Sequence, residues 1–288
     1  MKNYSRIAAG IAVSLSLGTA GAHEPWWNDD DDELEIPFEE AHVFFELNHT
    51  DGDLGIHSLI DGGPWAWIEI EDPYERRVLS VRASGRLRRQ GLTEIFFESA
   101  EPTFDELAPR RFFRRFPEGT YEVSGYALDG SELESEVELT HAMPAPPVAY
   151  VNGLPMALQC DDEEDGYDAT ETSAPVVISW DPVTLSHPDA DGAGAAVQPP
   201  VPVSIYNYEV VVEAETEIDG EEFVSVLSVI LPPEITHLAI PDGFLEQTDT
   251  FKYEVLAREE SYNQTAVESC FELPDEDEDE EEEEEGEE

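Results

Sequence analysis

The chain reads as all-β, with two β-sandwich domains lying between disordered acidic tails. Three observations lead there. Apolar residues alternate with polar ones at period two over short runs, Asp-Gly and proline-rich breaks separate those runs, and stretches of helical period are scarce. Aromatic residues at 10% and hydrophobic residues at 40% suffice for real cores. The acid is therefore expected on domain surfaces or in tails.

The 288 residues suit about two domains at roughly 150 residues each. Lys and Arg number 14 against 68 Asp and Glu, a formal net charge of −54. Nucleic acid is excluded as a partner, because its phosphates are repelled rather than neutralised, and the same excess of acid argues against docking onto anionic membrane. A separate reading takes the acid, with Lys almost absent, as adaptation to high salt, and expects unfolding in low-salt buffer.

Residues 1–22 have the features of an export signal. Lys2 and Arg6 precede an apolar stretch from Ile7 to Leu17, and Ala20-Gly21-Ala22 offers an A-x-A cleavage site. Cleavage after Ala22 makes His23 the new N-terminus; cleavage after Ala20 is the competing site. The apolar stretch is well short of the roughly 20 residues that span a bilayer, and no other stretch is long and apolar enough. The expected product is exported, whether secreted, cell-surface or periplasmic, without a transmembrane segment. Residues 23–35 form an acidic segment whose run from Asp29 to Glu35 is interrupted only by Leu34. Such runs repel themselves and bury nothing.

The first folded domain is expected over 36–143. Val43, Phe45 and Leu47 alternate with Phe44 and Glu46, and Ala66, Ile68 and Ile70 with Trp67 and Glu69. Ile95 and Phe97 follow, then Tyr121 and Val123. Leu133, Val137 and Leu139 interleave with Glu132, Glu134, Glu136 and Glu138, giving one apolar and one acidic face. Turns are expected at Asp51-Gly52, Asp61-Gly62 and Asp129-Gly130. Pro144-Ala145-Pro146-Pro147 then reads as a stiff boundary, because proline cannot donate to a ladder.

The second domain is expected over 144–273. Its strand candidates are Val176 to Trp180, Tyr206 to Val212, Phe223 to Leu231, His237 to Ile240, Phe251 to Ala257 and Ala266 to Leu273, with a loop from Asp189 to Pro202. Residues 274–288 form a second acidic tail. Cys160 and Cys270 are the two cysteines. In an exported chain they are expected to form a disulfide rather than a metal site, pinning the first strand of this domain near its last.

Val177-Ile178-Ser179-Trp180-Asp181-Pro182 resembles the Trp-bearing second strand of fibronectin type III domains. Tyr206 and Tyr208-Glu209-Val210 resemble the third strand, and Thr236 to Ile240 the strand after a long hairpin. Leu245, Phe251, Tyr253, Val255 and Ala257 are similar to the family's Leu…Tyr-x-Val-x-Val-x-Ala run, with Phe251 in the place of its corner tyrosine. The resemblance covers roughly 145–273 and implies a core built on Trp180, Tyr208, Leu245 and Phe251. It also implies a corner held by packing without the usual hydroxyl, and a non-catalytic spacer, adhesion or accessory role. The first half is Ig-like in pattern.

Ten arginines fall in one window: Arg76, Arg77, Arg82, Arg86, Arg88, Arg89, Arg110, Arg111, Arg114 and Arg115. The planar guanidinium pairs with carboxylate or sulfate through two parallel hydrogen bonds. Arg86, Arg88, Arg89, Arg110, Arg111, Arg114 and Arg115 are thus candidates for holding an anionic polymer or an acidic partner. The competing reading is internal neutralisation by nearby Glu and by the tails. Within the window, Pro109 to Pro117 has helical spacing, arginines on one side and Phe112, Phe113 and Phe116 on the other. It is either a small amphipathic anchor or a core-capping turn.

Asp51-Gly52-Asp53-Leu54-Gly55, with Asp61 following, resembles a calcium loop, since clustered turn carboxylates can supply calcium's six to eight oxygens. It departs from the EF-hand pattern at Gly55, Ile56 and Gly62, and the alternative is two ordinary Asp-Gly turns. Asp161 to Asp165 is a second candidate. An N-terminal His23, with His42, His49 or His57 as partner, would suit copper in an enzyme or accessory factor that degrades polysaccharide. No G-x-S-x-G elbow, P-loop, dinucleotide-binding glycine pattern, H-E-x-x-H or C-x-x-C is present. The sequence therefore points to an exported non-catalytic module contacting an extracellular polymer or protein, with calcium as a candidate structural ion and the copper reading as the alternative.

Overall fold

The computed structural model describes residues 36–157, 160, 169–190, 199–218 and 221–274. The export signal, His23, the acidic runs at 23–35 and 275–288, and Asp161 to Asp165 lie outside the described residues.

The chain is mostly strand. In order it forms β1 (Glu40–Asn48), β2 (Asp53–Glu71), β3 (Arg77–Arg82), α1 (Gly85–Gln90), β4 (Leu92–Glu98), α2 (Pro109–Phe113), β5 (Gly119–Ala127) and β6 (Glu132–Leu139). There follow β7 (Ala149–Val151), β8 (Leu154–Pro155), β9 (Thr170–Glu171), β10 (Val177–Trp180), β11 (Ile205–Ile218), β12 (Glu221–Leu231), β13 (His237–Ala239), α3 (Asp242–Leu245), β14 (Thr250–Glu259) and β15 (Gln264–Glu272). Each strand expected between 176 and 273 is present, and β11 runs to Ile218, beyond the expected end at Val212.

Two compact units emerge. Unit one gathers Met1–Val43, Ser58–Phe97 and Gly119–Glu138; unit two gathers Phe44–His57, Glu98–Glu118 and Leu139–Glu288. A single cut at the proline-rich stretch therefore does not describe the chain. β1 and β2 each begin in one unit and end in the other, so the division falls inside strands.

In unit one, β2 pairs antiparallel with β3 (Ile68 opposite Val81) and with β5 (Ile68 opposite Gly125). Trp65, Ile68, Ile70, Tyr121 and Val123 are fully buried, as alternation requires of the inward face. The turns at 51–52 and 129–130 form with Gly52 at φ 67° and Gly130 at φ 97°, the region that favours glycine. The turn expected at Asp61-Gly62 does not form. Both residues lie inside the continuous strand β2, and Asp61 Oδ1 accepts the Gly62 N–H at 2.9 Å. The glycine also lies close under Phe38: a Cβ there would stand 3.3 Å from its ring.

Unit two is a sandwich. One layer runs β12-β11-β14-β15-β1, with β15 and β1 parallel; the other runs β13-β10-β7-β8. Val151, Ile178 and Trp180 from the second layer share one core with Val210, Val212, Tyr253, Val255, Val267 and Phe271 from the first. The Trp180 and Tyr208 rings meet edge to face at 5.2 Å. Leu245 is buried, and Phe251 stacks on Phe271 at 4.8 Å, so packing alone closes that corner. The Tyr208 hydroxyl accepts the Val183 N–H at 2.9 Å inside the core. Tyr208→Phe keeps the ring and strands that N–H, so an unfolding titration should show a loss of about 1–3 kcal/mol.

The Cys160–Cys270 disulfide is present, with Cα atoms 5.8 Å apart. Cys160 lies beyond β8 rather than in the first strand of the domain, while Cys270 is in the last, β15.

Candidate functional site

The bulge in β2 makes the site. Trp65 sits opposite Ala127 and Trp67 opposite Tyr126, so the register slips by one residue between them. A slip of one turns a side chain to the other face. Trp65 consequently enters the core while Trp67 turns outward. Trp67 then lies between Arg82 on β3 and Tyr126 on β5, each directly across a strand pair. Its ring stacks on Tyr126 at 5.9 Å and 24°, and its Nε1–H donates to Ser80 Oγ at 2.9 Å, which fixes the indole. Below the row, β5 carries Gly125, where a Cβ would run into the Trp67 carbonyl.

Arg88 on α1 completes an open hollow of about 330 Å³ lined by Ala66, Trp67, Arg82, Arg88 and Tyr126. Arg82, Arg86, Arg88 and Arg89 are solvent-exposed. Among the described residues the arginine window is only partly neutralised from within. Arg76 pairs with Asp72 at 2.6 Å and Arg77 with Glu69. Arg82, Arg86, Arg88, Arg89, Arg110, Arg111, Arg114 and Arg115 have no carboxylate in ion-pair range among the described residues. The first four belong to unit one and the last four to unit two. An aromatic ledge flanked by exposed guanidinium groups can stack a sugar ring and hold an anionic substituent.

The segment at 109–117 places its phenylalanines inward. Phe112 and Phe113 are buried, and the Phe45 ring stands 5.0–6.2 Å from Phe112, Phe113 and Phe116. The core-capping reading accounts for this turn, because the apolar side of an anchor is already used.

Unit two holds the one group among the described residues that brings three ligand-type atoms within 4.8 Å: Glu46, His57 and Glu101. His57 Nε2 lies 2.9 Å from Glu101 Oε1, and Nδ1 lies 3.5 Å from Glu46 Oε2. The two carboxylates face different ring nitrogens. That is the arrangement of an imidazolium clamped between two acids rather than of ligands around one ion. The Glu101 hydrogen bond and the charges of Glu46, Glu101 and Glu98 raise the His57 pKa against its burial. Burial raises Glu46, against the pull of His57 and of the Gln264 side chain that donates to it. Asp51, Asp53 and Asp61 are not members of this group; Asp61 belongs to unit one, Asp51 and Asp53 to unit two.

His49 and His187 form a second pair, Nδ1 to Nε2 at 3.1 Å. His187 Nδ1 accepts the N–H groups of Asp189 and Ala190, so its proton is on Nε2 and is donated to His49. Burial, aided by the neighbouring His49, holds His187 down to about 4. Two of the three partners offered for a copper site at His23 are thus engaged elsewhere: His49 by His187, and His57 by its acids.

Carboxylates also lie buried where the alternation places them outward. Glu254 on β14 sits across from Glu268 on β15 and beside Val211, with Glu209 and Glu213 flanking on β11. Glu209, Glu213 and Glu254 are only 2–8% exposed. Glu209 accepts from Ser228 at 2.7 Å and from Arg258 at 3.4 Å, whereas Glu254 Oε2 has no hydrogen-bond partner among the described residues. Acid in this chain is therefore not confined to surface and tails.

No family model and no curated protein matches the chain. Among solved structures it is similar to a bacterial ice-binding adhesin described for host cell surface retention, at 10% identity and TM-score 0.20, covering 83% of this chain and 66% of that one. It is also similar to a tetra-tandem repeat in the extending region of a large adhesion protein, at 13% identity and TM-score 0.22, covering 82% and 50%. A Salmonella alpha-2-macroglobulin mutant is matched at 10% identity and TM-score 0.23, covering 83% and 15%. The chain thus spans less than two thirds of each of these structures. Likeness at such TM-scores carries neither fold nor function across. No helix among the described residues is long and apolar enough to cross a membrane.

Proposed function

We propose that the chain is an exported, non-catalytic binding module that holds an acidic polysaccharide on the hollow of Trp67, Tyr126, Arg82 and Arg88. The observation that carries this reading is the outward Trp67–Tyr126 stack flanked by two arginines without an acid partner among the described residues. Sugar rings offer C–H faces to the aromatic ledge, and uronate or sulfate groups suit the planar guanidinium. The overall negative charge does not forbid this, because screening over about 8 Å at physiological salt leaves the local arginines dominant at contact.

Residues 144–273 are read as a fibronectin type III-like module. Supporting this are the Trp180–Tyr208 contact, the order β12-β11-β14-β15 facing β13-β10-β7, and the buried Leu245 and Phe251. The residues from 36 to 143 supply the binding surface on an Ig-like pattern. Export is supported by the signal-like residues 1–22 and is compatible with the disulfide.

Arrays of acidic and neutral polysaccharides test the reading directly. Uronate- or sulfate-bearing chains should bind and neutral ones should not, and Trp67→Ala should weaken binding about tenfold, the loss of one stacked ring. Equal capture of neutral and acidic polymers, or an unaffected Trp67→Ala, contradicts it.

A further inference from the structure

The acidic run at 29–35 has acid at six of its seven positions, and no Lys or Arg occurs between Arg6 and Arg76 to neutralise it. The run lies outside the described residues, but the point where it joins unit one is described. Ile36 bridges Leu133 of β6 in parallel, its N–H donating to the Glu132 carbonyl at 3.0 Å. A parallel bridge means that the chain arrives at Ile36 from the side on which β6 itself begins, the side of the turn at 128–131. At that end of the sheet Pro64 accepts the Leu128 N–H at 2.9 Å. Pro64 also stands where a Cβ on Gly91, just after α1, would meet it at 3.1 Å. The run therefore enters at the end of unit one that carries Arg86, Arg88 and Arg89. Three strand spacings, through β6 and β5 to β2, separate Ile36 from Trp67, about 14 Å. About five extended residues cover that distance, which puts carboxylates at 29–32 within reach of Arg82 and Arg88.

We infer that residues 29–35 lie over the hollow of Trp67, Tyr126, Arg82 and Arg88 and compete there with acidic polymer, a regulation that presupposes the binding reading above. Charge and tether select this occupant. β6, beside which the run joins the fold, carries Glu132, Glu134, Glu136 and Glu138, and these repel it from that edge. Arg76 and Arg77 are paired with Asp72 and Glu69 toward the other end of β2. Among the described residues of unit one, that leaves the exposed Arg82, Arg86, Arg88 and Arg89. Exposed ion pairs are individually weak, but a tether of a few residues holds the run at an effective concentration in the millimolar range. The run offers closely spaced carboxylates, as a uronate polymer does, and must be displaced before the polymer binds.

Carbodiimide treatment of the mature chain carrying Arg88→Lys tests the contact, because lysine forms the amide that arginine cannot. Mass spectrometry should find position 88 joined to a carboxylate within 29–35 at low salt. The link should be lost at about 1 M salt, where the Debye length falls to roughly 3 Å, and Arg111→Lys should give no link to 29–35. Replacing the six acids of the run by Asn and Gln tests the competition. Calorimetric titration of that variant with a sulfated oligosaccharide should show binding about tenfold tighter than wild type, as removal of a tethered competitor requires. A missing link at Arg88→Lys, a link to 275–288 in its place, or an equal link from Arg111→Lys overturns the contact. Equal affinity of the two chains overturns the competition. Failure of both chains to bind, with the link formed, contradicts the binding reading and leaves the contact standing.

Discussion

Cys160→Ser with Cys270→Ser lowers the unfolding free energy of unit two by on the order of 4–5 kcal/mol, the largest effect expected of any change discussed. The bridge joins residues 110 apart, and closing a loop of that size removes about 4–5 kcal/mol of entropy from the unfolded chain in the chain-entropy model. The native side changes little. The neighbouring segment stays tied to β15 by the Ser269 hydroxyl donating to the Ala157 carbonyl at 3.1 Å, and by the parallel pairing of β9 at Phe271 and Glu272. The serine variant should therefore keep its circular dichroism spectrum while its urea midpoint falls steeply. An unchanged midpoint would mean that the unfolded chain is already held compact in this region.

Raising the pH from about 6.5 to about 8.5 lowers the melting temperature, and Glu254→Gln reduces that dependence while leaving the share of Glu268 and His57. The sign follows from groups whose folded pKa stands above the unfolded one. Burial, with the charges of Asp51 and Glu213, raises Glu268 from 4.5 to about 7. Burial and the surrounding Glu46, Glu268, Glu209 and Glu213 raise Glu254 well above the ordinary carboxylate value. His57 is raised by its two acids. Each group stabilises the fold when protonated, fully so below its unfolded value, and the contribution is lost as pH climbs through the folded value. At about 1.4 kcal/mol per unit, Glu268 loses on the order of 3 kcal/mol between pH 4.5 and about 7, of which only about 1 kcal/mol falls above pH 6.5. His49 and His187 work in the opposite sense, since their pKa values are lowered. Their effect is confined below about pH 6.5, the ordinary histidine value, and so falls outside the window. Glu254→Gln retains shape without a charge to bury, so the variant should be more stable than wild type at the alkaline end. A melting temperature that rises with pH across this window would show that these carboxylates are solvated.

How far the sequence leads depends on the range over which each signal acts. Strand alternation is local, so β10 and β12 to β15 begin and end close to where Val176, Phe223, His237, Phe251 and Ala266 place them, while β11 runs on past Val212 to Ile218. The fibronectin-like residues Trp180, Tyr208, Leu245 and Phe251 do share one core. Asp61-Gly62 looks like a turn by composition, yet both residues lie inside β2, with that glycine close under Phe38. Alternation gives each strand two faces but does not say whether the outer one is covered. Glu209, Glu213 and Glu254 therefore read as surface residues although they are buried. The arginines that line the hollow were visible as a cluster. Their alignment with Trp67 and Tyr126 was not, because it depends on a one-residue bulge that no local pattern announces. Glu46, His57 and Glu101 come from three separate segments and form no motif.

Calorimetric titration with a sulfated or uronate oligosaccharide, comparing two double variants, tests the binding account most directly. Arg82→Ser with Arg88→Ser should weaken binding by at least tenfold, about 1.4 kcal/mol, and flatten its salt dependence, while Arg110→Ser with Arg111→Ser leaves both unchanged. Loss of affinity confined to the second pair, or heat of binding indifferent to both, would contradict it.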